Sequence, residues 1–228
     1  MTEARSAGID RIVVGGDVFP GPLPHLVLRY LSSTRLPVDF VFGNGEVAIL
    51  EQLAGRIPAR VPDAHKPIVR WNAEQLDGAD REAISCWPKT LRVNVPPIGE
   101  VLFCHATPRD ENEIFTRLTP ADRLIPIFAP ANAALVACGH THMPFDRMIG
   151  RTRVVNPGSV GMPFGPAGAD WMILGPDVEF RHTNYDLERA ARRIRESGYP
   201  AAEEFATRSV LQPPSAEDML NLYGQYEI

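Results

Sequence analysis

Four short apolar runs in this chain each end in a turn carrying a polar side chain, and that repeated pairing constrains the fold more than any other feature. Ile12-Val13-Val14 leads to Gly15-Gly16-Asp17, and the run Val38 to Phe42 leads to Gly43-Asn44. Val101 to Cys104 leads to His105, and Leu135 to Cys138 leads to Gly139-His140-Thr141-His142. Short, mostly apolar runs suit strands covered on both faces, the habit of a parallel or mixed sheet in an α/β fold. Helix-like stretches sit between them. Pro24 to Ser32 places Leu26, Val27, Tyr30 and Leu31 at helical spacing, and Asn72 to Ile84 reads as one helix with Asn72 as its N-cap. Thr119-Pro120 reads as the cap and first turn of a helix reaching about Phe128.

Beyond these elements, Arg151 to Val155, Trp171 to Leu174 and Val178 to Thr183 read as closely spaced antiparallel strands, since no helix fits between them. The tail 186–228 is expected to be helical, with a stop at Gly198, a capping box at Ser215 to Asp218 and an end near Gly224. Ile57 to Pro67 is a Pro-rich loop expected to pass over a site. With 228 residues and no long linker, the whole of 1–228 is expected to form a single domain.

Composition excludes several classes. The 23 Lys and Arg against 28 Asp and Glu leave a net charge of −5, which argues against a general nucleic-acid or anionic-membrane binder. The basic run Arg189 to Arg195 therefore reads as a solvated helix face. No apolar run approaches the ~20 residues of a membrane span. The first ten residues contain no apolar signal core, so a cytoplasmic location is the default expectation. Three separated cysteines make no disulfide framework. Cys86, beside Trp87, is expected in the core; Cys104 and Cys138 are expected on the strand face opposite the polar residues that follow them.

In open α/β sheets ligands bind beyond the carboxyl ends of strands, so Asp17, Asn44, His105, His140 and His142 can meet at one place. One carboxylate, one amide oxygen and three imidazoles suit a borderline divalent metal (Mn, Fe, Ni or Zn) better than Mg or Ca. Each residue alone has an ordinary reading as a turn, cap or core side chain. His140 and His142, at i and i+2 on a strand-like segment, are expected to point the same way. The ordered combination is what carries the inference.

Taken together, Gly16-Asp17 with Gly21-Pro22, Gly43-Asn44-Gly45-Glu46, His105, Gly139-His140-Thr141-His142 and Asn156-Pro157-Gly158-Ser159 resemble the calcineurin-like metallophosphoesterase superfamily. The resemblance runs from about residue 9 to 183 and is strongest to its small bacterial phosphodiesterase and diadenosine-tetraphosphatase-like branch. It implies a four-layer α/β/β/α sandwich of mixed sheets and two divalent cations. Asp17 would bridge the two. Asn44, His105 and His140 would complete one site, and His142 would belong to the other. It also implies hydrolysis of a small phosphodiester or phosphomonoester by a metal-bridging water. Glu46 would orient its neighbours, and Arg109 is a candidate phosphate clamp, its ordinary reading being a surface pair with Asp110.

Two positions depart from the pattern. Relatives begin with a strand ending in Asp-x-His, which this sequence lacks. Met1 to Gly8 reads as the end of the helix that follows that strand, so roughly 20 residues of strand and helix are expected to precede it. Without that strand the first metal site keeps only Asp17 and His142, and one well-bound cation or weak activity is expected. A non-catalytic or regulatory domain that binds metal or nucleotide is the alternative. The second departure is Gly45, where many relatives carry a His resembling a general acid. His65, in the Pro-rich loop, is a candidate replacement; His25 and His182 read as structural or exposed.

Overall fold

The computed structural model describes all residues, 1–228. Its first half comprises α1 (Thr2–Ser6), β1 (Ile12–Val14), α2 (Pro24–Ser32), β2 (Val38–Phe40), α3 (Asn44–Leu53), α4 (Lys66–Gln75) and α5 (Gly78–Ser85). Then come β3 (Thr90–Val95), β4 (Gly99–Cys104), α6 (Ala121–Phe128), β5 (Leu135–Ala137), β6 (Phe145–Ile149), β7 (Thr152–Asn156), β8 (Ala169–Leu174) and β9 (Val178–Thr183). The tail holds α7 (Leu187–Arg195), α8 (Ala202–Phe205) running into a π-helical turn over Ala206–Leu211, and α9 (Ala216–Tyr223).

Three clusters of buried side chains stack these elements into four layers. Leu28, Ile49, Val69, Ala73 and Ile84, from α2 to α5, pack with Phe40 of β2. Val13 of β1 and Met172, Leu174 and Val178 of β8 and β9 pack against Val101, Phe103, Leu135, Ala137 and Val155 of the larger sheet. The opposite face of that sheet, Leu102, Cys104, Val136, Cys138 and Val154, packs on Leu124, Ile127 and Phe128 of α6. The period-two split between two cores is why Val101–Cys104 and Leu135–Ala137 carry no polar positions. The order is α/β/β/α.

The larger sheet runs β3-β4-β5-β7-β6, with β4, β5 and β7 parallel and the two edge strands antiparallel to their neighbours. β1 pairs with β2 in parallel, and β8 with β9 antiparallel. The expectation of late antiparallel strands thus holds for β8 and β9, whereas β7 also pairs in parallel with β5. No helix is long and apolar enough to cross a membrane.

Several boundaries differ from those expected. The stretch 72–84 is two helices, because Asp77 and Asp80 form a reciprocal capping box that starts α5 after α4 has ended at Gln75. Asn72 is therefore a buried residue inside α4. The loop 57–67 gives way to a 3-10 turn at Asp63–His65 and then to α4, whose Pro67 sits in the first turn. The cap of α6 is Pro120, while buried Thr119 accepts a hydrogen bond from Thr116 N–H through its hydroxyl. Cys86 is exposed, not core: it follows the end of α5, and Trp87 takes the packing by stacking on Phe40 at 4.4 Å.

Candidate metal centre

The polar residues of the four junctions arrive from separate elements. Asp17 lies in the turn after β1, Asn44 is the first residue of α3, His105 directly follows β4, and His140 and His142 lie in the turn after β5. Asp17 (φ 55°), His140 (64°) and His142 (58°) all adopt the left-handed backbone region. Non-glycine residues seldom hold that conformation unless their surroundings impose it. His140 and His142 are thus not on an extended segment, and the shared direction expected from strand alternation does not apply.

His105 is buried and is the centre of the cluster. Its Nδ1–H donates to the carbonyl of Gly15 at 2.8 Å, which directs Nε2 inward. Around Nε2 lie Asn44 Oδ1 at 3.0 Å, Asp17 Oδ2 at 3.2 Å and His140 Nδ1 at 3.2 Å. Asp17, His105 and His140 each present a ligand atom, all within 4.8 Å of one another. A carboxylate oxygen, an amide oxygen and two imidazole nitrogens form a donor set that fits a borderline divalent cation.

Burial and mutual charge set how these groups ionise. Burial opposes ionisation of Asp17, yet His105 and the Gly45 N–H outweigh it and hold the carboxyl at about 2. Burial alone would lower His105; the Asp17 carboxylate raises it to about 9. His140 is pushed down to about 4 by burial and by its neighbour His105.

A frame of buried polar groups holds these side chains. Glu46, fully buried, accepts N–H bonds from Gly43 at 2.8 Å, Asp17 at 2.9 Å and Phe19 at 3.1 Å. Burial and the nearby Asp17 charge raise its pKa to about 7. All three partners are backbone N–H groups, and they tie the turn after β1 to the start of α3. Gly45 is held by close packing: a Cβ there would lie 1.8 Å from the Phe19 carbonyl oxygen, so no side chain fits without moving backbone.

Two framing residues escaped sequence reasoning. Asn156 donates to the Gly139 carbonyl at 2.6 Å and to Thr141 Oγ1 at 3.2 Å, and accepts from Gly158 N–H at 2.9 Å, bracing the His140 turn. Asn72 accepts from Gly21 N–H at 2.9 Å and donates to the Ile68 carbonyl, joining the segment after Asp17 to α4. Asn156 had a signal, its place in the Asn-Pro-Gly-Ser block; Asn72 offered none beyond a resemblance to a cap.

The remaining candidates lie elsewhere. His142 stands outside the tight cluster; its Nδ1 is buried without a partner, and its ring lies 5.2 Å from that of Phe164. Arg109 is exposed and bonds Glu113, at 2.7 Å through Nε and 2.5 Å through Nη2, rather than Asp110. Asp110 is taken by Arg60 at 3.0 Å, which joins the Pro-rich loop to the loop after His105. His65 is exposed. His25 and His182 pair with Asp80 at 2.7 Å and Asp170 at 2.6 Å.

A four-layer sandwich that gathers oxygen and imidazole donors beyond its strand ends has the architecture of a metallophosphoesterase. The family model for the calcineurin-like phosphoesterase superfamily domain matches residues 1–177, and the chain belongs to that superfamily of metal-dependent phosphoesterases. Among solved structures, a hypothetical protein from Pyrococcus horikoshii OT3 is similar at 21% identity, with a TM-score of 0.74 over 94% of this chain and 90% of that one. A metallophosphoesterase from Sphaerobacter thermophilus is similar at 22% identity and a TM-score of 0.70, over 91% of each chain. Both share the fold. No curated protein matches the sequence.

Proposed function

We propose that the chain hydrolyses a small phosphodiester or phosphomonoester at the pocket formed by Asp17, Asn44, His105 and His140. The observation that carries this is the meeting of three ligand atoms around His105 Nε2, with Nδ1 of the same ring committed to Gly15. A divalent cation bound there supplies Lewis acidity toward phosphoryl oxygens and acidifies a coordinated water. The four donors account for one cation, and His142, with its buried free nitrogen, is the residue left to a second. Asp17 is kept ionised and the His105 ring is kept oriented, so the donors are in place before substrate arrives. Glu46 acts on this site as a positioning residue. Arg109 serves as a phosphate clamp only if it exchanges Glu113 for substrate. Gly45 offers no proton, which favours leaving groups that depart readily as anions.

Hydrolysis of bis-p-nitrophenyl phosphate with added manganese tests the proposal. Wild-type protein is expected to turn over, faster on nitrophenyl esters than on alkyl phosphomonoesters. Asp17→Asn and His140→Ala are expected to lose about 100-fold or more, the scale of removing one charge-stabilising group. Unchanged rates in both variants would contradict the assignment. Manganese binding without turnover would favour a non-catalytic metal-binding domain.

A further inference from the structure

The proposed pocket is rich in acceptors and poor in free donors. The basic side chains lining the small cleft beside His105 are already paired: Arg109 with Glu113, and Lys89 with Glu111 at 3.0 Å. Arg60, in the Pro-rich loop, is held by Asp110. A phosphoester brings several anionic oxygens, and those not facing a cation need hydrogen-bond donors.

One candidate donor comes from the far end of the chain. Beyond the 1–177 family match, α9 packs on Met143, next to the His140–His142 turn, and on Phe164, and is fastened at both ends. Gly165 N–H bonds the Pro214 carbonyl at 2.9 Å just before the helix. After it, Ile228 N–H bonds the Ile114 carbonyl at 3.1 Å, and Thr116 Oγ1 bonds Glu227 at 2.6 Å. Leu220 of α9 is buried with Met143 and Phe164. The ring of Tyr223 packs on Phe164 at 6.1 Å, and Phe164 packs on His142 at 5.2 Å. A continuous aromatic stack therefore runs from the His140–His142 turn to α9.

We infer that Tyr223 is a substrate-binding residue whose hydroxyl donates a hydrogen bond to a phosphoryl oxygen of the ester held at the Asp17–His140 pocket. The assignment rests on the phosphoesterase reading above. It stands on the stack, on the anchoring of α9, and on a phenol that is half-buried rather than free in solvent. Burial and the negative charge of Asp17 both raise this phenol, to about 12, so it stays protonated and able to donate across the neutral range. The effect of Asp17 also places the phenol within the electrostatic reach of the pocket.

Tyr223→Phe keeps the ring and removes only the hydroxyl. Its kcat/KM on bis-p-nitrophenyl phosphate with manganese is expected to fall about tenfold, the scale of one hydrogen bond to a charged group. The affinity of the manganese-loaded protein for inorganic phosphate, measured by calorimetry, is expected to fall similarly, while manganese affinity stays unchanged. Tyr226→Phe, which alters an exposed phenol three residues on, is expected to match wild type. Wild-type rate and phosphate affinity in Tyr223→Phe, with wild-type protein active, would overturn the role of Tyr223 and leave the phosphoesterase reading intact. A loss of manganese binding in Tyr223→Phe would instead mark Tyr223 as a structural support and overturn its role as donor. Wild-type protein that neither binds manganese nor hydrolyses the ester would overturn both.

Discussion

At the residue scale, the site depends on buried side chains whose partners are backbone. Glu46 is a clear case, because its two oxygens take three N–H groups from two turns. Glu46→Gln keeps the shape but replaces one acceptor with an NH2 that faces those donors. We expect a loss of about 1–3 kcal/mol in unfolding free energy, the usual cost of leaving a buried polar group unsatisfied. Urea unfolding measures it, and a midpoint equal to wild type would show that the three bonds contribute nothing net. The same residue shows why sequence alone left its role open. A Glu three positions after a cap is readable as half of a capping box, and here it does accept from Gly43. That it also reaches Asp17 and Phe19 depends on the approach of a segment 27 to 29 residues away, which no local pattern records.

At the element scale, the strand-to-turn junctions were legible because each buried strand is a brief apolar run ended by glycine or a polar residue. α3 was not legible: Gly43-Asn44-Gly45 has the composition of a turn, and glycine disfavours helix interiors. Its helical start is stabilised by the Glu46 bond to Gly43 and by tight packing around Gly45. β6 was hidden for another reason. As an edge strand it carries Asp146 and Arg147 on exposed or half-exposed positions, which breaks the apolar run. The β8–β9 hairpin offers a test at this scale. His182 of β9 pairs with Asp170 of β8, and that hydrogen bond raises the imidazole pKa above its ordinary value. A raised folded-state pKa adds stability that is complete below the unfolded value near 6.5 and is lost as pH rises through the folded value. Since the pair is partly exposed and screened, the contribution is expected to stay below about 1 kcal/mol. Wild-type protein should therefore lose slightly more stability between pH 6 and pH 9 than His182→Asn. Parallel pH profiles for the two, measured by thermal unfolding, would count against the pair.

At the scale of the whole molecule, the four layers bring together side chains that lie 27 to 123 positions apart, from Asp17 and Asn44 to Asp17 and His140. The two inner layers form one core, so the turn after β1 and the turns after β4 and β5 open at a common rim. The bond from His105 to Gly15 and that from Gly139 N–H to the His105 carbonyl lace these turns together directly. The most direct test of this convergence is a titration of manganese into metal-free protein, with free ion followed by electron paramagnetic resonance. We predict stoichiometric uptake of at least one ion per chain by wild-type protein, weakened at least about tenfold in both Asp17→Asn and His140→Ala. Uptake that is absent in wild type, or undiminished in the two variants, would contradict a shared cation pocket.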